Sequence, residues 1–232
     1  MKIKKYLFTV AASLFLLGLM SAAALAKNET KDVQDSANVL STIMKIPEKG
    51  IPPALLRDAQ AIVIVPDVIK GAFIVGGRHG TGVLLVREST GHWSDPVFVS
   101  LTGGSVGWQV GGTSTDIILV FKNRKGVEGL LKGKFTLGAD ASVAAGPVGR
   151  SAEAATDVML KSEILSYSRS RGLFAGVSLE GAALLIDEDA TTAYYSKRDL
   201  HAADILAGKY GGKASPATRR LKGLLMKYST MK

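Results

Sequence analysis

Apolar residues two apart, interrupted by glycine, recur along this chain and constrain its fold more than any other feature. They are plainest from Ser166 to Gly181, where Leu173, Ala175, Val177 and Leu179 fall on one side of an extended backbone. Gly172, Gly176 and Gly181 stand where such a strand bends or admits a second backbone. Val106, Trp108 and Val110 alternate in the same way with Gly107, Gln109 and Gly111, and Thr115 to Phe121 is a further apolar run. A Gly111-Gly112 turn would make these two neighbouring strands. Ala61 to Val65 is a β-branched run that Pro66 should stop, and Gly71 to Gly76 and Gly82 to Arg87 read as a hairpin closed by a glycine-rich turn, Gly76 to Gly82. Val97 to Val99, Lys134 to Ala145 as far as Gly146-Pro147, and a last pair, Ala182 to Ile186 and Ala190 to Tyr195 around Asp187-Glu188-Asp189, complete the extended set.

Helical spacing is confined to the flanks of these runs. Val33, Ala37, Leu40 and Met44 share one face between Asn28 and Ile46, and Pro52-Pro53 suits the opening of a short helix ending by Gln60. Asn123 can cap a helix bearing Val127, Leu130 and Leu131, and Ala152 to Tyr167 has a helical face up to about Ile164. With 26 glycines, no linker and no fixed-period repeat, the expectation is one α+β domain of antiparallel, glycine-rich, curved sheets with flanking helices.

The first 26 residues stand apart. Lys2, Lys4 and Lys5 precede an apolar stretch from Tyr6 to Met20, and Ala24-Leu25-Ala26 offers a small-x-small cleavage site. This is the wording of a secretory signal cut after Ala26; the rival, a membrane anchor, is short of the roughly 20 apolar residues a bilayer span needs. The domain then occupies 27–232, exported to the periplasm or beyond. The chain has no cysteine, which removes both disulfides and a lipidated N-terminal cysteine.

Of the net charge of +9, three positive charges lie in the leader; seven more follow Asp204, after which there is no acid. The body between is therefore close to neutral, and the basic character belongs to the tail. Ser215-Pro216 is a cap followed by a first-turn proline, and Leu221, Leu224, Leu225 and Tyr228 then form a helical stripe, with Arg219, Arg220, Lys222 and Lys227 mostly off it. Such a basic amphipathic helix, 215–232, can lie in a lipid interface, or it can dock on the body by its leucines and leave a solvated basic face.

Beyond periodicity, the wording of the signature closely resembles that of the SYLF domain family, related to the actin-binding domain of yeast endocytic regulators. Tyr167-Ser168-Arg169-Ser170 with Leu173 to Gly181 carries the most specific part. Lys70-Gly71-Ala72-Phe73 followed by Gly80-Thr81-Gly82-Val83 looks like the family's first glycine-rich hairpin, and Gly107 to Gly111 with Thr115-Asp116 like its second. The resemblance implies a non-catalytic domain that binds membrane phospholipids, phosphoinositides in eukaryotic members, some of which also bind and bundle actin. For an exported bacterial-type member it implies an anionic phospholipid or membrane surface as partner, with no cofactor and no metal. Candidate contacts are the basic and apolar tail residues Arg219, Arg220, Leu221, Lys222, Leu224, Leu225 and Lys227, together with Arg169 and Arg171. The alternative is a structural or protein-interaction module of the cell envelope that presents the same leucines to another protein.

Enzyme signals are weak. Gly103-Gly104-Ser105-Val106-Gly107 fits G-x-S-x-G, but a nucleophile elbow needs a helix after the serine, and strand wording follows it. His79, His92 and His201 have no paired spacing for zinc, and Gly129 to Lys134 matches a phosphate loop only loosely, with Phe135 where a hydroxyl should be. Asp187, Glu188 and Asp189 read as a solvated acidic turn. Nucleic acid is not an expected partner, since the body lacks aromatics set among arginines.

Overall fold

The computed structural model describes residues 29–46, 50–73, 75–106, 113–148, 161–170, 173–174, 179–197, 199–210 and 212–231. The proposed leader, the Gly107 to Gly112 stretch, most of the helix expected from Ala152, Arg171-Gly172 and Ala175 to Ser178 lie outside the described residues.

Nine described strands form one sheet: β1 Ala61–Phe73, β2 Val75–Val86, β3 Val97–Val106, β4 Thr113–Phe121, β5 Phe135–Thr136, β6 Val143–Ala145, β7 Ile164–Ser170, β8 Leu173–Phe174 and β9 Ala183–Ile186. Their order is β5-β9-β3-β2-β1-β4-β7-β6, with β8 paired to β7. All pairs are antiparallel except β6 with β7. Six helices are described: α1 Glu29–Met44, α2 Pro53–Asp58, α3 Arg124–Leu131, α4 Glu188–Tyr195, α5 Ala202–Leu206 and α6 Pro216–Ser229. The architecture is α+β, as expected, with one parallel pair added.

Strand alternation divides the core in two. Val63, Leu84, Val99 and Leu119 project to one face, under Val127 and Leu130 of α3 and Ile205 and Leu206 of α5. Ile62, Val83, Leu85, Phe98 and Ile118 project to the other, under Val33, Leu40 and Ile43 of α1, Leu56 of α2 and Leu221 and Leu225 of α6. Covering on both faces explains why Ala61 to Val65 is apolar without a break: every side chain in it is fully buried. Each such aliphatic side chain contributes about 1.5–3 kcal/mol.

The sequence expectations fail at two places in the sheet. Pro66 does not end its strand. β1 continues to Phe73, and its pairing with both neighbours slips across Pro66-Asp67, where Asp67 takes φ +47°. A bulge removes the missing proline N–H from the ladder and lets the central strand go on. The second failure concerns Gly76 to Gly82, which is not a turn but the body of β2, since the hairpin closes with Phe73 opposite Val75. Glycine is needed there for closeness: a Cβ on Gly80 would lie 2.8 Å and 2.9 Å from methyls of Val68 and Val65, and one on Gly82 would overlap the Ile64 carbonyl. The bulge presses on β2, and only glycine gives way. The strand expected from Val106 to Val110 and its Gly111-Gly112 turn lie almost wholly outside the described residues; β3, which ends at Val106, is separated from β4 by the β1–β2 hairpin.

A further correction concerns Ala190 to Tyr195, which form α4 instead of a strand. Asp187 accepts the Ala190 N–H at 2.9 Å as an N-cap, and Ser196 ends the helix in the left-handed region at φ +52°.

Candidate functional site

The C-terminal helix forms as its sequence dictates. The Ser215 hydroxyl accepts the Thr218 N–H at 3.1 Å, and Pro216 occupies the first turn. The Tyr194 hydroxyl of α4 reaches the Ser215 and Thr218 hydroxyls at 2.5 Å and 2.7 Å, fixing the start of the helix to the body. Leu221 and Leu225 are fully buried and Tyr228 nearly so, while Leu224 is half-buried against the same core. These leucines are core residues, packed mainly beside α1. In this fold they do not form a free face for lipid or for a second protein.

The charges divide likewise. Lys222 donates to Asp95 at 2.8 Å, tying α6 to the segment before β3. Arg219, whose Nη1 reaches the Ala214 carbonyl, Arg220 and Lys227 are exposed, and the Lys227 ammonium stands 5.8 Å from the Tyr228 ring centroid. Three cations therefore remain on the outer side of a helix whose apolar side is occupied.

Arg169 is committed elsewhere. It sits in β7 opposite Asp116 of β4, and its Nε and Nη2 donate to Asp116 Oδ2 at 3.1 Å and 2.6 Å. Oδ1 of the same carboxylate accepts the Asp67 N–H at 3.2 Å, at the β1 bulge, and Asp67 in turn accepts the Ser114 hydroxyl at 2.7 Å. The signature arginine thus holds the carboxylate that holds the bulge. Arg171 lies outside the described residues. The sequence reading named Asp116 only as part of the Thr115-Asp116 hairpin wording, without a role, and did not name Asp95. The one available signal was position, since Asp116 is the lone acid at the head of the apolar run Ile117 to Phe121.

The enzyme-like motifs acquire ordinary structure. Ser105 lies in β3 with its backbone opposite Gly76, far from the strand-turn-helix setting of a nucleophile. Gly129 to Lys134 forms the end of α3 and the turn after it, with Gly133 at φ +128°, whereas a phosphate loop precedes a helix and aims its N–H groups at the ligand. His79 Nδ1 pairs with the Thr102 hydroxyl at 3.1 Å, and His201 precedes α5. Among the described residues no three His, Cys, Asp or Glu side chains gather to hold a metal.

Comparison with known proteins agrees with the signature. Residues 102–228, more than half of the chain, match the family described as Ysc84, Las17-binding protein actin regulator. The chain belongs to the Ysc84 family. It is 36% identical over 207 residues to Protein YSC84 of Saccharomyces cerevisiae, covering 86% of this chain and 43% of that protein. It is 35% identical over 164 residues to SH3 domain-containing YSC84-like protein 1 of Xenopus laevis, covering 70% of this chain and 49% of that one. With an SH3 domain-containing protein of Schizosaccharomyces pombe the identity is 38% over 171 residues, covering 72% and 39%. The chain spans half or less of the length of these relatives. The Ysc84 family is one of binding and regulatory proteins, as its description states.

Proposed function

We propose that this Ysc84-family chain is a non-catalytic binding module for anionic phospholipid surfaces, exported after cleavage at Ala26 and working in the cell envelope. The observation that carries the proposal is the division of α6: its leucines are spent on the core, while Arg219, Arg220 and Lys227 face outward with no acid in their helix. A docked helix of this kind attracts headgroups by charge without inserting. Three cations at about 1 kcal/mol each near an anionic membrane amount to roughly a hundredfold in affinity. The attraction falls as salt shortens the screening length.

The test is sedimentation of 27–232 with vesicles of neutral and then anionic lipid, at low and high salt. Binding that requires anionic lipid and fades with salt supports headgroup recognition. Absence of binding under every condition overturns it and leaves a protein partner, which the Las17-binding description of the family favours.

A further inference from the structure

The opposite face of the sheet carries a second concentration of cations. From Lys122 to Lys134 there are five basic residues, Lys122, Arg124, Lys125, Lys132 and Lys134, and one acid, Glu128. The segment contains α3, whose Val127 and Leu130 are buried under the sheet face that α6 does not touch. Lys125, Lys132 and Lys134 are exposed and line a cleft of about 330 Å³ with Glu128 and Asp140. Asp140 is partly engaged, since its carboxylate accepts the Thr136 N–H at 2.6 Å. A shallow groove of about 150 Å³ between α3 and α5 shares Glu128 with that cleft and is lined also by Arg124, Val127, Leu131, Ala203 and Leu206. Leu131 in that groove is 39% exposed, one of four large apolar side chains so exposed among the described residues. Cations around an exposed leucine on a short helix match the chemistry of a lipid interface, where an apolar side chain enters below headgroups that the lysines neutralise.

We infer that α3 is a second contact for an anionic lipid surface, and that one chain, holding α3 and α6 on opposite faces of one sheet, links two such surfaces. The inference rests on the lipid-binding proposal above and extends it from binding to bridging. Two contacts facing opposite ways cannot both lie on one flat membrane, so their joint use joins two.

Vesicles of equal parts phosphatidylglycerol and phosphatidylcholine are mixed with 27–232, which contains every described element, and followed by sedimentation for binding and by dynamic light scattering for clustering. The unaltered chain should bind and cluster. K125E/K132E/K134E should keep binding through α6 and lose clustering. R219E/R220E/K227E should likewise bind through α3 without clustering, and the six-fold variant should do neither. Circular dichroism confirms that each variant is folded, and light scattering without lipid gives its mass. Clustering by K125E/K132E/K134E equal to that of the unaltered chain overturns the inference. So does binding without clustering by the unaltered chain, or clustering that follows self-association instead of α3 charge. Failure of the unaltered chain to bind vesicles at all is a different result, and overturns the lipid proposal itself.

Discussion

Arg169 and Asp116 lie opposite each other across β7 and β4, 53 residues apart in sequence, with two guanidinium nitrogens on one carboxylate oxygen at 3.1 Å and 2.6 Å. The pair is largely screened from water, the side chains being 25% and 11% exposed. Because the second carboxylate oxygen receives the Asp67 N–H, the pair also fixes the bulge in β1. Arg169→Ala should therefore cost about 1.5–3 kcal/mol, the range for hydrogen bonds to charged groups. Urea unfolding measures it. Vesicle binding by the folded variant should be unaltered; lost binding at unchanged stability would return Arg169 to the headgroup site.

The close approach of β2 to the bulge gives a steric test. Gly82→Ala forces a methyl onto the Ile64 carbonyl and should destabilise by about 1–3 kcal/mol or more, as overpacking does. Gly104→Ala, in the adjoining strand β3 with nothing within 4 Å of the added carbon, serves as the control and should be nearly neutral in the same thermal melts.

For α6, the two sides of the helix should respond differently. Leu221→Ala or Leu225→Ala opens a cavity in a full core and should cost about 2–5 kcal/mol. R219E/R220E/K227E should leave the melting temperature nearly unchanged and weaken binding to anionic vesicles. Deleting 216–232 removes part of the core and should unfold the chain, so charge reversal is the cleaner probe. Equal binding by the charge variant and the unaltered chain would move the site off α6.

Burial pushes the hydroxyls of Tyr167 and Tyr195 well above the ordinary tyrosine range. In the unfolded chain tyrosine ionises near pH 10, so above that the unfolded state binds fewer protons and stability falls as pH rises. The contribution is complete below pH 10 and is lost progressively above it. Tyr167 Oη has no hydrogen-bond partner among the described residues. Tyr167→Phe should therefore be neutral or slightly stabilising at pH 7 and should flatten the alkaline decline. Tyr195→Phe, which forfeits a 2.8 Å bond to the Pro96 carbonyl, should cost about 1 kcal/mol at pH 7. Denaturant midpoints from pH 7 to 11 separate the two.

Local signals with one strong determinant were legible in the sequence. Asn123 and Ser215 cap their helices as their positions suggest, and the apolar spacing of α1 and α6 matches their buried faces. What escaped depended on partners distant in sequence. Glycines in β2 look like a turn until the bulge of β1 is beside them. Thr191, Tyr194 and Tyr195 favour a strand by type, yet the Asp187 cap and the bond from Phe98 N–H to the Thr191 hydroxyl at 3.1 Å hold them in a helix against β3. The tail showed its cations and leucines plainly, but only the packed structure shows that the leucines are covered. Arg169 looked like a ligand-facing cation because its counter-charge lies 53 residues away.

The pairing of α6 with α1 and α2 has a consequence for synthesis. One layer of the core is completed only when α6 meets α1, so a growing chain that has not yet released α6 has Ile62, Ile64 and Phe98 without part of their cover. Domains gather as units while synthesis proceeds at about 5–20 residues per second, and here the unit cannot close before α6 emerges. Until α6 has been made, the layer beneath it stays open and the growing chain stays threadable.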